Sequence, residues 1–170
     1  MIKAIFTDID GVLTDGGQWY TKAGLDSLKF NARDYAACFR LRAAEVALVT
    51  VSSSDGDIAK RRMKVMKPDI ALYDTINKKK AIDGVCRSMG WELSEVAYIG
   101  DDHIDLPVLE AVGFSFCPAD AVAKVCLVEG IKVCSLEGGQ GVLAEVIDFV
   151  IEWNKSGQKE EESLQQDASN

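Results

Sequence analysis

The feature that most constrains the fold is an apolar stretch near the N-terminus that ends abruptly in acidic residues. Residues 2–6 are apolar apart from one lysine, and Asp8, Asp10 and Gly11 follow them. A short apolar run closed by turn residues predicts a strand that is buried on both faces, as in a parallel sheet. In an extended chain the two carboxylates point the same way and repel each other unless a cation neutralises them. An isolated pair of this kind could also be a polar strand end, so its meaning depends on the rest of the chain.

The rest of the chain alternates strand patterns with helical patterns. We expect further strands over residues 46–51, 70–73, 96–99, 114–117 and 131–134. We expect helices over residues 35–44, 57–67, 78–89, around Pro107, near residues 121–127 and over residues 142–153. Asp34, Asp55 and Asn77 stand where each could cap the helix that follows it. The alternation predicts an α/β fold with a doubly wound, Rossmann-like, mostly parallel sheet.

Polar side chains recur where the predicted strands end. They are Asp8, Asp10, Thr50, Asp101 and Asp102, with Lys78 at the start of a helix just after another strand. In an open α/β sheet, ligands bind beyond the carboxyl ends of the strands. The sequence therefore predicts that these residues meet in one site.

Composition narrows the class of protein. A chain of 170 residues suits a single domain, and a net charge of −8 argues against nucleic acid or an anionic membrane as a partner. The five cysteines are widely spaced without a Cys-x-x-Cys pair, which favours buried reduced thiols, and the single histidine, His103, excludes a multi-histidine metal site. No apolar run approaches the roughly 20 residues of a membrane span, and no charged leader precedes the first strand, which predicts a cytoplasmic protein.

Two segments stand apart from the strand and helix alternation. Residues 17–31 predict a β-hairpin around Gly24, and its aromatic residues Trp19, Tyr20 and Phe30 should pack either on their own domain or on a second subunit. Residues 154–170 are polar, and we expect them to be a disordered tail after a domain of residues 1–153.

The predicted site has the groups that phosphoryl transfer requires. Breaking a phosphate monoester needs a nucleophile, a proton donor for the leaving alcohol and positive charge near the phosphoryl oxygens. Asp8 would be the nucleophile, and Asp10 would protonate the leaving oxygen and later deprotonate water. Mg²⁺ held by Asp8, the Asp10 backbone carbonyl and Asp101 would relieve the clustering of acids, while Thr50 and Lys78 would hold the phosphoryl oxygens.

The motifs also carry a family resemblance. Residues 8–16 (Asp-Ile-Asp-Gly-Val-Leu-Thr-Asp-Gly), Thr50, Lys78 and Gly100-Asp101-Asp102 through Asp105 resemble, in order, the four motifs of the haloacid dehalogenase superfamily of phosphatases. With the hairpin and the Gly138-Gly139-Gln140-Gly141 segment, the chain is most similar to a group that lacks a separate cap domain. That group includes 3-deoxy-D-manno-octulosonate 8-phosphate phosphatases and nine-carbon sugar acid 9-phosphate phosphatases.

The resemblance implies a phosphorylated 2-keto-3-deoxy sugar acid as the substrate and a homotetramer assembled through the hairpin. Asp102 and Asp105 should support the metal site or Lys78 from outside, and Asp105 could instead cap the next helix. The chain departs from the group at Val51-Ser52-Ser53-Ser54, where relatives usually carry Gly followed by Arg or Glu, and at Ala144, where they commonly carry Arg. Arginine is a natural partner for a substrate carboxylate, so these departures bear on the substrate and not on the chemistry.

Two alternatives belong to other functional classes. A catalytically inactive assembly or regulatory module, related to C-terminal domains of sugar-nucleotide synthetases, would keep the same scaffold, but retention of both Asp8 and Asp10 argues against it. A response-regulator receiver also groups acids with a threonine and a lysine. In that class the threonine and lysine both follow a mid-chain aspartate, whereas here the second acid pair follows Lys78.

Overall fold

Six parallel strands form the central sheet of the computed structural model, which describes the backbone of residues 1–167 and the side chains of residues 1–158. In chain order these strands are β1 (Ala4–Thr7), β4 (Ala47–Val51), β5 (Ile70–Leu72), β6 (Val96–Ile99), β7 (Phe114–Cys117) and β8 (Lys132–Val133). Their order across the sheet is β5-β4-β1-β6-β7-β8. The chain thus winds outward from β1 in both directions, as the alternation of patterns predicts.

Helices cover both faces of this sheet. They are α1 (Ala32–Ala43), α2 (Asp57–Met66), α3 (Lys78–Met89), α4 (Leu106–Leu109), α5 (Ala123–Cys126) and α6 (Val142–Asp167). Apolar side chains of α1, α2 and α6 pack together on one face, and those of α3, α4 and α5 pack on the other. The predicted α/β architecture is confirmed.

The central strand β1 is buried on both faces. Ile5 packs toward α1 and α6, whereas Ala4 and Phe6 pack toward α3 and α4, and all three side chains are fully buried. Burying an isoleucine or phenylalanine side chain contributes about 1.5–3 kcal/mol, so β1 is held firmly on both faces. The acids that follow it therefore start from a fixed position.

The helix that begins at Lys78 has the boundaries that the sequence predicts. Asn77 accepts a hydrogen bond from the backbone N–H of Lys80 at 3.0 Å, and Gly90 ends the helix with a φ of +68°. A side-chain cap and a left-handed glycine are common helix ends. Lys78 is consequently placed in the first turn of α3.

The first helix begins earlier than predicted. Asn31, and not Asp34, is its cap, and its side chain accepts a hydrogen bond from the N–H of Arg33 at 2.9 Å. The buried carboxylate of Asp34 instead accepts the N–H of Ala144 at 3.0 Å, which ties α1 to the first turn of α6. In the next helix the cap is Gly56, and Asp55 pairs with Lys60 at 2.5 Å.

The hairpin is present between β1 and α1. Its antiparallel strands are β2 (Trp19–Thr21) and β3 (Gly24–Ser27), so the turn lies at residues 22–23, just before Gly24. Trp19 and Tyr20 are 69% and 67% exposed and do not pack on their own domain, whereas Phe30 packs against its core. Within the described residues this hairpin is the largest insertion, and no separate cap domain is present.

The polar C-terminal segment is helical where the structure describes it. The helix α6 does not end near residue 153 but continues to Asp167, and residues 168–170 lie outside the described residues. The segment is rich in Glu, Gln and Lys, which are good helix formers, and a helix already anchored in the core extends at little cost. Asn154 also exchanges two hydrogen bonds with the backbone of Ile2, at 2.7 and 2.8 Å.

The cysteines and the apolar character of the helices can be compared with the predictions from composition. All five cysteines are free thiols, and four of them are buried. Among the described residues, no helix combines the length and the apolar character that crossing a bilayer requires.

Candidate active site

The predicted site residues meet at the carboxyl edge of the sheet. Asp8 follows β1 directly, Thr50 lies in β4 beside Thr7 of β1, and Lys78 opens α3. Asp101 and Asp105 come from the loop and the short 3-10 helix (His103–Asp105) that follow β6, on the other side of β1. Parallel strands end at the same edge, so segments far apart in sequence converge there.

Asp8 and Lys78 form a buried ion pair at the centre of the site. One carboxylate oxygen of Asp8 accepts the N–H of Ile9 at 2.6 Å, and the other accepts a hydrogen bond from the ammonium group of Lys78. Burial raises the pKa of the Asp8 carboxyl, and the charge of Lys78 opposes that rise. Burial would lower the pKa of Lys78, but the carboxylates of Asp8 and Asp105 outweigh it and raise the pKa. The lysine therefore remains a cation.

Asp105 holds Lys78 from the other side. Its Oδ1 accepts from Lys78 Nζ at 2.8 Å and from the hydroxyl of Tyr98 at 2.5 Å. Its Oδ2 accepts the backbone N–H groups of Asp101 at 3.0 Å and Asp102 at 3.2 Å. Asp105 thus orients Lys78 and, as the last residue of the 3-10 helix, bonds back to the N–H of Asp102 at its start. Its side chain makes no cap bond to α4, so the alternative that Asp105 caps the next helix is wrong.

The acidic residues form a group that suits a metal ion. One carboxylate oxygen from each of Asp8, Asp101 and Asp105 lies within 4.8 Å of the others. Burial, followed by the charges of Asp8 and Asp105, raises the pKa of Asp101 to about 8. The Oδ1 atom of Asp101 is buried and has no hydrogen-bond partner within the described chain. An oxygen-rich, electrostatically crowded site with an unpartnered carboxylate oxygen fits a hard divalent cation such as Mg²⁺.

Asp10 differs from Asp8 in its surroundings. The residue is half-buried. Burial raises the pKa of its carboxyl, and the charge of Lys78 and the Ser52 side chain oppose this rise. The Ser52 side chain is fully buried, and its oxygen also accepts the N–H of Ser54 at 3.0 Å. Asp10 is therefore partly open to a bound molecule, and Ser52 acts on the pKa of its carboxyl.

The hydroxyl of Thr50 has no partner. The residue is fully buried, and its Oγ1 makes no hydrogen bond to any described residue. A buried hydroxyl without a partner costs about 1–3 kcal/mol, so this group calls for an explanation, and a hydrogen bond to a bound ligand is one. Thr50 thus offers a donor at the same edge as Asp8.

Asp102 lies outside this network of buried contacts. Its carboxylate is exposed, accepts the N–H of His103 at 2.6 Å and pairs with the ring Nδ1 of the same residue at 2.9 Å. The hydrogen bond from His103 lowers the pKa of Asp102. The residue that orients Lys78 is consequently Asp105, and a supporting role of Asp102 toward a metal stays a prediction.

The loop that carries Asp10 is packed tightly on both sides. A Cβ on Gly11 would lie 2.0 Å from Oδ2 of Asp101, and a Cβ on Gly138 would lie 2.2 Å from the carbonyl oxygen of Gly11. Gly139 donates its N–H to the carbonyl of Val12 at 2.9 Å. The Gly-rich segment before α6 therefore supports the loop after β1, a role beyond permitting a tight turn.

Two contributors to the site are not evident in the sequence. Tyr98 lies within an apolar strand pattern where tyrosine is common, so nothing marks its hydroxyl as an active-site contact. Ser52 belongs to a serine-rich loop that reads as an ordinary turn. Its position two residues after Thr50 marks it only as a departure from the family pattern.

Comparisons with known proteins agree with this geometry. A family model of haloacid dehalogenase-like hydrolases matches residues 69–128. The 3-deoxy-D-manno-octulosonate 8-phosphate phosphatase of Haemophilus influenzae is 33% identical over 151 residues, which cover 89% of this chain and 83% of that protein.

Solved structures give the same result. A cobalt-bound deoxy-D-mannose-octulosonate 8-phosphate phosphatase from Haemophilus influenzae superposes with a TM-score of 0.84 at 33% identity, covering 89% of this chain and 88% of that one. The Moraxella catarrhalis 3-deoxy-D-manno-octulosonate 8-phosphate phosphatase, in complex with a magnesium ion, a phosphate ion and a KDO molecule, gives a TM-score of 0.84 at 26% identity, covering 89% and 86%. The resemblance inferred from the four motifs is thus confirmed, and the chain belongs to the haloacid dehalogenase superfamily of phosphatases, in the family of the 3-deoxy-D-manno-octulosonate 8-phosphate phosphatases.

Proposed function

We propose that this phosphatase is a magnesium-dependent phosphomonoesterase that works through an aspartyl-phosphate intermediate. Its proposed substrate is a 2-keto-3-deoxy sugar acid phosphate, either an octulosonate 8-phosphate or a nonulosonate 9-phosphate. The observation that carries the proposal is the convergence of a buried carboxylate, Asp8, a buried ammonium group, Lys78, and an unpartnered hydroxyl, Thr50, at one edge of the sheet.

Asp8 and Asp10 have environments that match different tasks. The carboxylate of Asp8 attacks phosphorus and forms the acyl phosphate, because it is buried, fixed by Ile9 N–H and paired with Lys78. Asp10 is half-buried and has a raised pKa, which suits a group that first donates a proton to the leaving alcohol and then accepts one from water. The intermediate is then hydrolysed at Asp8.

Lys78 and Thr50 bind the transferred phosphoryl group. An ammonium group has three N–H donors, and two of those of Lys78 are engaged by Asp8 and Asp105, which leaves the third for a phosphoryl oxygen. The Thr50 hydroxyl supplies a second donor. Charged and preorganised donors of this kind stabilise the negative charge of the transition state.

Asp8, Asp101 and the backbone carbonyl of Asp10 would hold Mg²⁺. The bound ion would neutralise the crowded carboxylates and attract the phosphoryl oxygens. Asp105 is a weaker candidate ligand because both of its oxygens already accept two hydrogen bonds each. The relative from Moraxella catarrhalis that binds magnesium and phosphate supports this choice of cofactor.

The test of the chemistry is the Asp8→Asn variant, assayed with an aryl phosphate and Mg²⁺. The amide keeps the size of the side chain but is not a competent nucleophile, so turnover should fall below detection. Asp83→Asn is the matched control, because Asp83 pairs with Lys79 on the surface of α3. Undiminished turnover by Asp8→Asn would refute the assignment.

The substrate class needs a separate assay. Because the chain departs from the expected family pattern at Ser52 and Ala144, eight- and nine-carbon 2-keto sugar acid phosphates should be compared with a neutral sugar such as glucose 6-phosphate. We expect kcat/KM to be highest for a sugar acid phosphate. Equal values for glucose 6-phosphate would contradict the substrate class. No turnover of any compound with Mg²⁺ present would instead favour the inactive module.

We also propose that the chain forms a homotetramer through the hairpin. Trp19 and Tyr20 expose most of their aromatic surface, which is costly in water unless another subunit covers it. The Trp19→Ser, Tyr20→Ser double variant should elute as a monomer in light-scattering chromatography. Leu127→Ser, at an 83% exposed apolar residue outside the hairpin, should not change the mass. A tetramer that survives the double variant would contradict this interface. The cytoplasmic location and the lack of a nucleic-acid or membrane partner stay predictions from charge and composition.

A further inference from the structure

The hydroxyl of Tyr98 ends a buried series of hydrogen-bonded groups that reaches the nucleophile. Tyr98 lies on β6, and its side chain is fully buried. Its hydroxyl donates to Asp105 Oδ1 at 2.5 Å, the same oxygen accepts from Lys78 Nζ at 2.8 Å, and Lys78 donates onward to Asp8. The Tyr98 hydroxyl therefore acts on Asp8 only through Asp105 and Lys78.

These contacts determine the orientation of Asp105 completely. Its Oδ2 accepts two backbone N–H groups, from Asp101 and Asp102, while its Oδ1 accepts the Tyr98 phenol and the Lys78 ammonium group. A carboxylate offers about four acceptor positions, so all of them are occupied. The Tyr98 hydroxyl is the only one of the four donors that is neither backbone nor part of the proposed phosphoryl site.

The Tyr98 hydrogen bond also limits how strongly Asp105 attracts Lys78. An acceptor oxygen shared between two donors interacts less strongly with each of them, so the ammonium group stays available to Asp8 and to a phosphoryl oxygen. Without the phenol, Asp105 Oδ1 would have Lys78 as its single donor, and the lysine would shift toward it. Because the site is buried, water could not readily replace the missing donor.

We propose that Tyr98 is a positioning residue for phosphoryl transfer, and that its hydroxyl fixes Asp105 so that Lys78 is presented correctly to Asp8 and the phosphoryl group. This inference rests on the proposed function, because it requires Lys78 to act in the reaction. Tyr98 itself does not touch the substrate. Its effect should therefore fall on the rate of the chemical step rather than on binding.

The test is the Tyr98→Phe variant, which removes one oxygen atom and keeps the ring. We expect kcat for an aryl phosphate to fall roughly tenfold, because a hydrogen bond to a charged group is lost, while KM and the Mg²⁺ concentration for half-maximal activity change less than about twofold. Asp105→Asn keeps an acceptor oxygen but lacks the charge, and it should lose at least as much activity.

The matched control is Ser115→Ala on the neighbouring strand β7. Ser115 pairs with Tyr98 across the sheet, and its buried hydroxyl donates to the carbonyl of Leu109, away from the carboxylates. Both variants should lower the melting temperature, but only Tyr98→Phe should lower kcat. Equal kcat losses in the two variants would show a merely structural role and overturn the inference, as would wild-type kcat in Tyr98→Phe or Asp105→Asn.

The same experiment separates this inference from the proposed function. Lys78→Met is included to show whether the lysine takes part in the reaction. If the wild type is inactive, or if Lys78→Met keeps full activity, the proposed function fails and this inference fails with it. If the wild type is active, Lys78→Met is impaired and Tyr98→Phe is normal, only the role of Tyr98 is lost.

Discussion

Replacing Gly11 by alanine should disable the site through Asp101. Gly11 has a φ of +82°, and a Cβ built on it would lie 2.0 Å from Asp101 Oδ2, 2.5 Å from Cγ and 2.9 Å from Oδ1. The clash is with a carboxylate that the proposed metal site uses. Gly16 lies in the same loop with a similar φ of +72°, but its Cβ would meet nothing closer than 3.9 Å. The two substitutions therefore share the backbone strain and differ in the clash.

The expected loss of stability follows from the backbone strain, and the expected loss of activity follows from the displacement of Asp101. A left-handed backbone costs an alanine about 1–2 kcal/mol, so both variants should lose that much free energy of unfolding. Cβ contacts under 3.0 Å essentially never occur, so in Gly11→Ala the Asp101 carboxylate must move by about 1 Å. Mg²⁺ requires near-ideal ligand positions, and a misplacement of about 1 Å in an active site can cost on the order of 100-fold in rate.

The assay is aryl phosphate hydrolysis at increasing Mg²⁺ concentrations, with urea unfolding measured on the same samples. We expect both variants to be destabilised about equally. Gly11→Ala alone should lose roughly 100-fold in kcat/KM and require more Mg²⁺ for half-maximal activity. If Gly11→Ala and Gly16→Ala have the same activity and the same Mg²⁺ requirement, then Asp101 is not a ligand whose position matters, and the reasoning is refuted.

Two further predictions concern Ser52 and Asp34. Ser52→Ala should lower kcat about tenfold without changing the Mg²⁺ requirement, because Ser52 opposes the rise in the pKa of Asp10 that burial causes. Ser54→Ala is the control, because its hydroxyl accepts the N–H of Gly56 near the surface, and equal kcat values for the two variants would contradict the prediction. Burial raises the pKa of Asp34 to about 6, so the folded chain binds a proton more tightly than the unfolded chain, and this stabilisation is lost as the pH rises through 6. The wild type loses this stabilisation as the pH rises, and Asp34→Asn cannot. The difference in free energy of unfolding, variant minus wild type, should therefore increase by up to about 3 kcal/mol from about pH 4 to pH 7. Urea unfolding at each pH measures it, and a pH-independent difference would contradict the prediction.

The elements that the sequence predicts correctly are those with strong local signals. The strand before Asp8 is a short apolar run, and the helix at Lys78 has an asparagine before it and a glycine after it. The positions of both elements therefore follow from residues that are adjacent in the sequence. The convergence of Asp8, Thr50 and Lys78 follows from a general property of parallel sheets and needs no knowledge of side-chain packing.

The features that were missed depend on partners far away in the chain. Asn31 and Asp34 are both good helix caps, and only the contact of Asp34 with Ala144, 110 residues away, decides between them. Tyr98 fits an apolar strand, and its hydroxyl acquires a role only because the 3-10 helix after β6 turns Asp105 back toward it. The polar segment after Trp153 lacks an apolar face that would predict a helix, yet the anchored start of α6 allows the helix to continue.

The four carboxylates of the site have separate tasks because they have different partners. Asp105 shares the charge of Lys78 with Asp8, and its acceptor positions are filled by Lys78, Tyr98 and two backbone N–H groups. Asp10 is half-buried and has a raised pKa, which suits its proposed role of exchanging a proton with a bound molecule. Asp8 and Asp101 remain, and Lys78 cannot neutralise both.

This remaining charge would be balanced better by the proposed divalent cation than by a second lysine. A lysine would need a buried alkyl chain where Gly11 already approaches Asp101 too closely for a single Cβ. A small ion bound by oxygens fits that space and keeps the positive charge beside the phosphoryl group. On this reasoning the glycine after the Asp-x-Asp pair is as necessary to the metal site as the carboxylates, because it leaves the volume in which Asp101 can turn toward Asp8.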